Sequence, residues 1–227
     1  MIDIVREIEA IGREVGTKAI PAGDGQSVTL TRDFDAPIDD VWDALTTPER
    51  ITRWFLPIEA DLRIGGRYQL TGQAGGEILE CQRPSRFKIT WAYGENITPE
   101  QISEVEVQLA PLGEDRTRLR MEHAAVTPPE MWDQFGPGAV GVGWDQGLLG
   151  LSLYLRTGAT VDDPVAWQLS DEGIDYATRS SNAWGAANVA AGADPDVVER
   201  NIAATTAFYT TVPEAPPEAE PDAAPVA

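Results

Sequence analysis

The 227-residue chain has a single cysteine, Cys81, and a single histidine, His123. One cysteine excludes a disulfide framework within the chain and fits a reducing, cytoplasmic setting. The shortage also thins out catalytic schemes. A cysteine–histidine dyad would have to join Cys81 to His123, and a zinc site would need carboxylates in most positions. Basic residues are scarce too, 17 against 37 acidic ones, for a formal charge of −20. Such a chain repels phosphate backbones and anionic lipid, which sets aside nucleic acid and membranes as partners. No apolar run is long enough to span a bilayer, and the first residues do not read as a signal peptide. Nucleophile elbow, phosphate loop and HExxH motif are missing as well, so no catalytic residue, metal or cofactor is assigned.

Apolar and aromatic residues are plentiful by contrast. Hydrophobic residues make up 42% and charged residues 24%, a globular composition with enough length to bury a sizeable core. The stretch "TTPERITRWF" (46–55) ends on Trp54 and Phe55, followed by Leu56. A surface loop has little use for that apolar area, so the segment is either core or the lining of a cavity.

Along the chain, Ile4, Ile8, Ile11 and Val15 fall at spacings of four, three and four, which predicts one amphipathic helix over 2–15 stopped by Gly16. The segment 1–26 is thus expected to be a helix and linker. Residues 27–35 alternate as a strand. Pro37 opens a short helix with Asp35 placed to cap it and Ile38, Val41, Trp42 and Leu45 on its apolar face. Thr47–Pro48–Glu49 starts a further helical turn or two. From 62 to 124 short alternating runs separated by turns predict an antiparallel meander. Pairing the last two runs with Gln108 opposite Arg118 sets Glu106 against Arg120, Val107 against Leu119 and Val105 against Met121. Arg116, Arg118 and Arg120 then form half of a solvated charge ladder with Glu104 and Glu106. His123 comes to lie near Ser103 on the inward face, where a neutral, hydrogen-bonded imidazole is favoured over a general acid or base.

Trp144, Leu148, Leu151 and Leu155 predict a long helix burying one stripe, with Gly141, Gly143, Gly147 and Gly150 allowing close approach to the sheet. Beyond 158 only helices are expected. Ser170 and Asp194–Pro195 mark two starts, and Val198, Ile202, Thr205 and Tyr209 form one face. This extension, 158–212, carries too few large apolar residues to fold alone and is expected to dock on the domain or on a second subunit. The Pro/Ala/Glu segment 213–227 reads as disordered.

Strand, two small helices, antiparallel strands and a long helix follow the order of the helix-grip fold. "FDAPIDDVWDALTTPERITRWF", "GGRYQLTG", "GGEILECQRPSRFKITW", "TRLRMEHA" and "GWDQGLLGLSLYL" stand where the START-like superfamily carries its signature. They resemble the branch similar to the C-terminal domain of the activator of Hsp90 ATPase, over about 27–157. The flanking segments are similar to extensions on some actinobacterial members of that branch. The resemblance implies an α+β domain in which a curved antiparallel sheet wraps the long C-terminal helix around a cavity closed by the two small helices. Trp42, Trp54, Phe55, Leu56, Tyr68, Trp91, Met121, His123, Trp144 and Leu148 are the candidate ligand-binding residues. Their character favours a binding module for a hydrophobic small molecule over an enzyme, because proton-transfer groups are so few. Two alternatives stay open: a regulator partnered with an Hsp90-type chaperone, and a cyclase- or aromatase-like enzyme using the same cavity. A homodimer is left open as well.

Overall fold

The computed structural model describes residues 2–94 and 97–211. The expected disordered segment 213–227 lies outside the described residues. Eight strands form one antiparallel sheet in the order β1-β2-β8-β7-β6-β5-β4-β3. They are β1 (Ile11–Ile20), β2 (Gly23–Phe34), β3 (Ile58–Ala60), β4 (Arg67–Leu70), β5 (Gly75–Gln82), β6 (Arg86–Trp91), β7 (Ser103–Pro111) and β8 (Thr117–Ala125). Between β2 and β3 sit α2 (Ile38–Thr46) and α3 (Pro48–Trp54), following α1 (Ile4–Glu9) at the N-terminus. After the sheet come α4 (Pro129–Phe135), α5 (Gly138–Thr157), α6 (Pro164–Gln168), α7 (Asp171–Ala190) and α8 (Pro195–Thr210). This is the helix-grip arrangement, with the Leu148 and Leu151 stripe of α5 buried in the same core as Leu30, Val105 and Leu119 of the sheet.

The N-terminal expectation needs correction. Only Ile4–Glu9 is helical, capped by the Asp3 carboxylate accepting from the Arg6 N–H. Residues 11–20 are instead the edge strand β1, paired with β2 through Val15 opposite Val28 and Arg13 opposite Leu30. A spacing of four puts Ile11 and Val15 on one face of a strand as well as of a helix. Gly12 and Gly16 each weaken a helix by about 1 kcal/mol, and β2 offers a whole ladder of partners. Nor does Asp35 cap α2: Pro37 holds the cap position with no side-chain bond.

The β7–β8 pairing is also two residues from the expected register. Gln108 faces Arg120, Glu106 faces Glu122, Val107 faces Met121 and Val105 faces His123. A slip of two keeps every side chain on its face, so the inward set is unchanged while the charge partners change. Arg116 and Arg118 bond Asp33 of β2 at 3.0 and 2.7 Å. Glu104 pairs with Lys88 at 2.6 Å, and Glu106 with Arg86 at 2.9 Å and Lys18 at 3.5 Å. These glutamates are buried rather than solvated. Burial alone would raise the Glu106 carboxyl, but bonds from Gln108 and Arg86 bring it down to about 2.

The glycines of α5 meet helices and a loop, not the sheet as expected. A Cβ on Gly141 would lie 2.3 Å from the Trp184 ring of α7, and one on Gly150 would lie 2.6 Å from the Trp54 carbonyl oxygen. Trp184 and Tyr176 of α7 are fully buried. Ile4, Ile8, Leu149 and Tyr176 make a second small core drawn from α1, α5 and α7, so the terminal helices share their apolar contacts with the domain. Ser170 and Asp194 cap α7 and α8 through their side chains, as their sequence positions imply.

Candidate functional site

Alternation along three adjacent strands aims Phe87, Ile89 and Trp91 of β6, Val105 and Val107 of β7, and Leu119 and Met121 of β8 to one side. With Trp42 of α2 and Ile51 of α3 above and Leu148 of α5 alongside, they enclose a cavity of about 320 Å³. That volume is in the range of small-molecule sites. Trp42 meets Phe87 edge-on at a centroid distance of 5.9 Å, which fixes the roof against the sheet.

One wall is a row of aromatic rings. Trp54 and Phe55 stack at 5.4 Å, Phe55 and Trp144 at 6.4 Å, and Trp144 leans on Trp91 at 4.9 Å. The Trp54 indole donates to the Ala44 carbonyl at 3.0 Å, and the Tyr68 hydroxyl to the Thr90 carbonyl at 2.7 Å. Thr46 donates back to the Trp42 carbonyl at 2.8 Å. Most polar atoms of this lining are therefore already bonded within the protein. The exposed Arg83 and Cys81 border it on β5 and the following turn.

Of the candidates from the sequence, Trp42, Trp54, Phe55, Tyr68, Trp91, Met121, Trp144 and Leu148 line this cavity. Leu56 and His123 do not. They border a second cavity, of about 610 Å³, which shares Trp54, Phe55, Trp91 and Trp144 with the first. His123 bridges the sheet and α5. Its Nδ1 accepts from the Trp144 indole at 3.0 Å, and its Nε2 lies 2.8 Å from the Ser103 hydroxyl. Ser103 donates onward to the Trp91 carbonyl at 2.7 Å, so its oxygen is left to accept from His123. Both ring nitrogens are thus engaged by a neutral imidazole, and burial lowers its pKa to about 4. Ser103 is the diagonal neighbour of His123 in the observed register, which is why the two still meet. Among the described residues no cluster of histidine, cysteine or carboxylates is arranged to hold a metal ion.

Residues 35–156 match the family model described as activator of Hsp90 ATPase homolog 1-like protein. The crystal structure of CalU16 from Micromonospora echinospora is 36% identical, with 78% of this chain and 98% of that one covered at a TM-score of 0.62. The solution structure of the same protein gives 37% identity, coverage of 81% and 97%, and a TM-score of 0.66. This chain belongs to the activator of Hsp90 ATPase homolog 1-like family. A conserved protein of unknown function from Enterococcus faecalis shares the fold at 14% identity and a TM-score of 0.56, covering 82% of this chain and 95% of that one. No curated protein matches significantly. Membership carries a family-level role in ligand binding or regulation. No helix among the described residues is long and apolar enough to cross a membrane.

Within this family fold the sequence reading passed over Ile51, Phe87, Ile89, Val105, Val107 and Leu119 as lining residues. Strand alternation was the available signal for the last five. Trp167 and Tyr209, which border the second cavity, give no such signal, because the docking of α6 and α8 brings them there beside Gln146 of α5.

Proposed function

We propose that the chain binds a hydrophobic small molecule in the cavity beneath α2 and α3, and that it does so without catalysing a reaction. The observation that carries this reading is the cavity itself: about 320 Å³, walled almost wholly by apolar and aromatic side chains. Its ligand-facing residues are Trp42, Trp54, Phe55, Tyr68, Trp91, Met121, Trp144 and Leu148, with Phe87 and Ile89 added. Burying an apolar ligand there removes its surface from water at roughly 25 cal/mol per Å². Catalysis finds little support, since the one histidine is held neutral between Trp144 and Ser103. The lone cysteine fits a cytoplasmic location. Regulation of an Hsp90-type chaperone is the second reading, and it is supported by the family description alone.

The test is a titration with N-phenyl-1-naphthylamine, an uncharged probe that fluoresces in apolar surroundings. The parent protein should bind it at micromolar concentration. Ile89→Phe should weaken binding at least tenfold while the melting temperature stays nearly constant, because the added atoms enter open space rather than a packed core. No binding by the parent, or equal binding by both, would end this reading.

A further inference from the structure

The first cavity has a single charged residue in its lining, Arg83. Of that lining only Leu62, Cys81 and Arg83 are exposed, so these three mark the opening. Leu62 lies between β3 and β4, Cys81 near the end of β5, and Arg83 opens the turn to β6. The Ser85 N–H and hydroxyl close that turn by donating to the Gln82 carbonyl at 2.8 and 3.1 Å. The Ser85 carbonyl in turn accepts from the Leu109 N–H of β7 at 2.7 Å, which fastens the turn to the sheet. An arginine at such a rim covers apolar surface with its stem and keeps its head in water. Cations on the adjoining strand are matched: Arg86 and Lys88 hold Glu106 and Glu104 at 2.9 and 2.6 Å. Arg83 has no ion pair or hydrogen bond among the described residues. Its acidic neighbours on α2, Asp40 and Asp43, are both bonded by Arg50, and Asp43 also accepts from Thr47 at 2.9 Å. Arg50 and Thr47, with the Arg83 charge adding to them, hold the Asp43 carboxyl below its ordinary value. The opening thus carries one guanidinium whose donors no side chain has taken.

We propose that Arg83 determines the specificity of the first cavity, which takes an apolar monocarboxylic acid with its body inside and its carboxylate on the guanidinium at the opening. This rests on the reading of that cavity as a ligand site. A carboxylate fits the planar fork of the guanidinium and makes a charge-assisted pair with it. A cationic head is repelled at the same point and finds no carboxylate in the lining to receive it. The hydroxyls of Thr46 and Tyr68 are spent on backbone carbonyls, so they do not compete for the head. The net charge of −20 opposes any anion, but salt screens it beyond roughly 10 Å, which leaves the charge at the opening to decide.

Naphthalenebutyric acid, its primary amide and naphthylbutylamine test it, because they share one apolar body and differ in the charge of the head. Affinities are read by calorimetric titration at near-neutral pH and moderate salt. The parent should bind the acid roughly three- to tenfold more tightly than the amide, and the amine most weakly. Arg83→Met should abolish the advantage of the acid over the amide and leave N-phenyl-1-naphthylamine binding unchanged. Arg83 is exposed and holds no other side chain, so this variant should fold as the parent does. Arg200→Met removes the same charge from α8, away from both cavities, and should leave the advantage intact. Ile89→Phe should weaken acid and amide alike. An acid that binds no better than the amide, or an advantage that survives Arg83→Met, would overturn the proposal. Loss of the advantage in Arg200→Met would assign it to overall charge, and acid binding untouched by Ile89→Phe would place it elsewhere; either overturns the proposal equally. Continued binding of N-phenyl-1-naphthylamine beside any of these results leaves the reading of the cavity standing. Failure of acid, amide and N-phenyl-1-naphthylamine alike would overturn both.

Discussion

The face of α5 that meets the sheet carries Leu148 and Leu151, whereas the face that meets the terminal helices carries Gly141 and Asp145. The first face is held by apolar area shared among many side chains. The second adds a handful of buried polar contacts to the packing of Trp184, Tyr176 and Leu149. Asp145 is fully buried, and its carboxylate accepts from Arg13 of β1 at 3.0 Å, from Trp184 of α7 at 3.2 Å and from Ser180. Its backbone carbonyl accepts from the Tyr176 hydroxyl at 2.8 Å. Glu7 of α1 is bonded by Arg32 of β2 and, at 2.9 Å, by Arg156 of α5. Two buried carboxylates thus tie both chain ends to the grip domain. Such pairs add little net stability over apolar packing, yet are expensive to break, since a lone buried charge is left behind. Loss should therefore be gradual on the sheet side and abrupt on the other.

The largest effect expected is for Asp145→Ala, which leaves Arg13 buried without its anion and should cost about 3–5 kcal/mol by chemical denaturation. Arg13→Met combined with Asp145→Leu should recover most of that loss. If the double variant is as unstable as the single one, the contrast between the two faces fails. Leu151→Ala, on the sheet side and fully buried, should cost about 2–5 kcal/mol. A loss below roughly half a kcal/mol would remove α5 from the core.

A titration sharpens the same contrast. His123 has a folded pKa of about 4 against an ordinary value of 6.5, so between these values the unfolded chain binds a proton that the folded chain refuses. Stability from this group is complete above pH 6.5 and falls as the pH drops towards 4, by about 3 kcal/mol in all. His123→Gln should abolish that part of the slope, and an unchanged slope would show that His123 is not held neutral. The smallest effect belongs to an exposed pair on α7. Arg179→Ala breaks its contact with Asp175 and should change stability by no more than about 0.5 kcal/mol. A larger change would mean that exposed ion pairs, too, help to dock the extension.

How much of this was legible in the sequence follows the same division. The apolar stripe of α5, the alternation of the strands and the caps at Ser170 and Asp194 are local patterns, and with the family resemblance they lead to the grip; the resemblance implied the ten candidates of which eight line the first cavity. Ile11 and Val15 misled because a four-residue spacing satisfies a helix and a strand alike, and only β2 decides between them. The charge ladder misled because a two-residue slip conserves faces but not partners. Arg13 and Asp145 lie 132 residues apart and Glu7 and Arg32 lie 25 apart, and no periodicity announces either pairing. The second cavity is built where α6 and α8 dock beside α5, so it too was invisible to a local reading.

Trp54 tests the central claim most directly, because it borders both cavities, is only partly buried and makes one hydrogen bond, to the Ala44 carbonyl. Trp54→Ala should be measured twice, for thermal unfolding and for affinity towards N-phenyl-1-naphthylamine. The account predicts at least a tenfold loss of affinity with a stability cost well below the ~3–5 kcal/mol of a core tryptophan. A core-sized loss of stability, together with no probe binding by the parent at micromolar concentration, would contradict it and leave the aromatic row as packing alone.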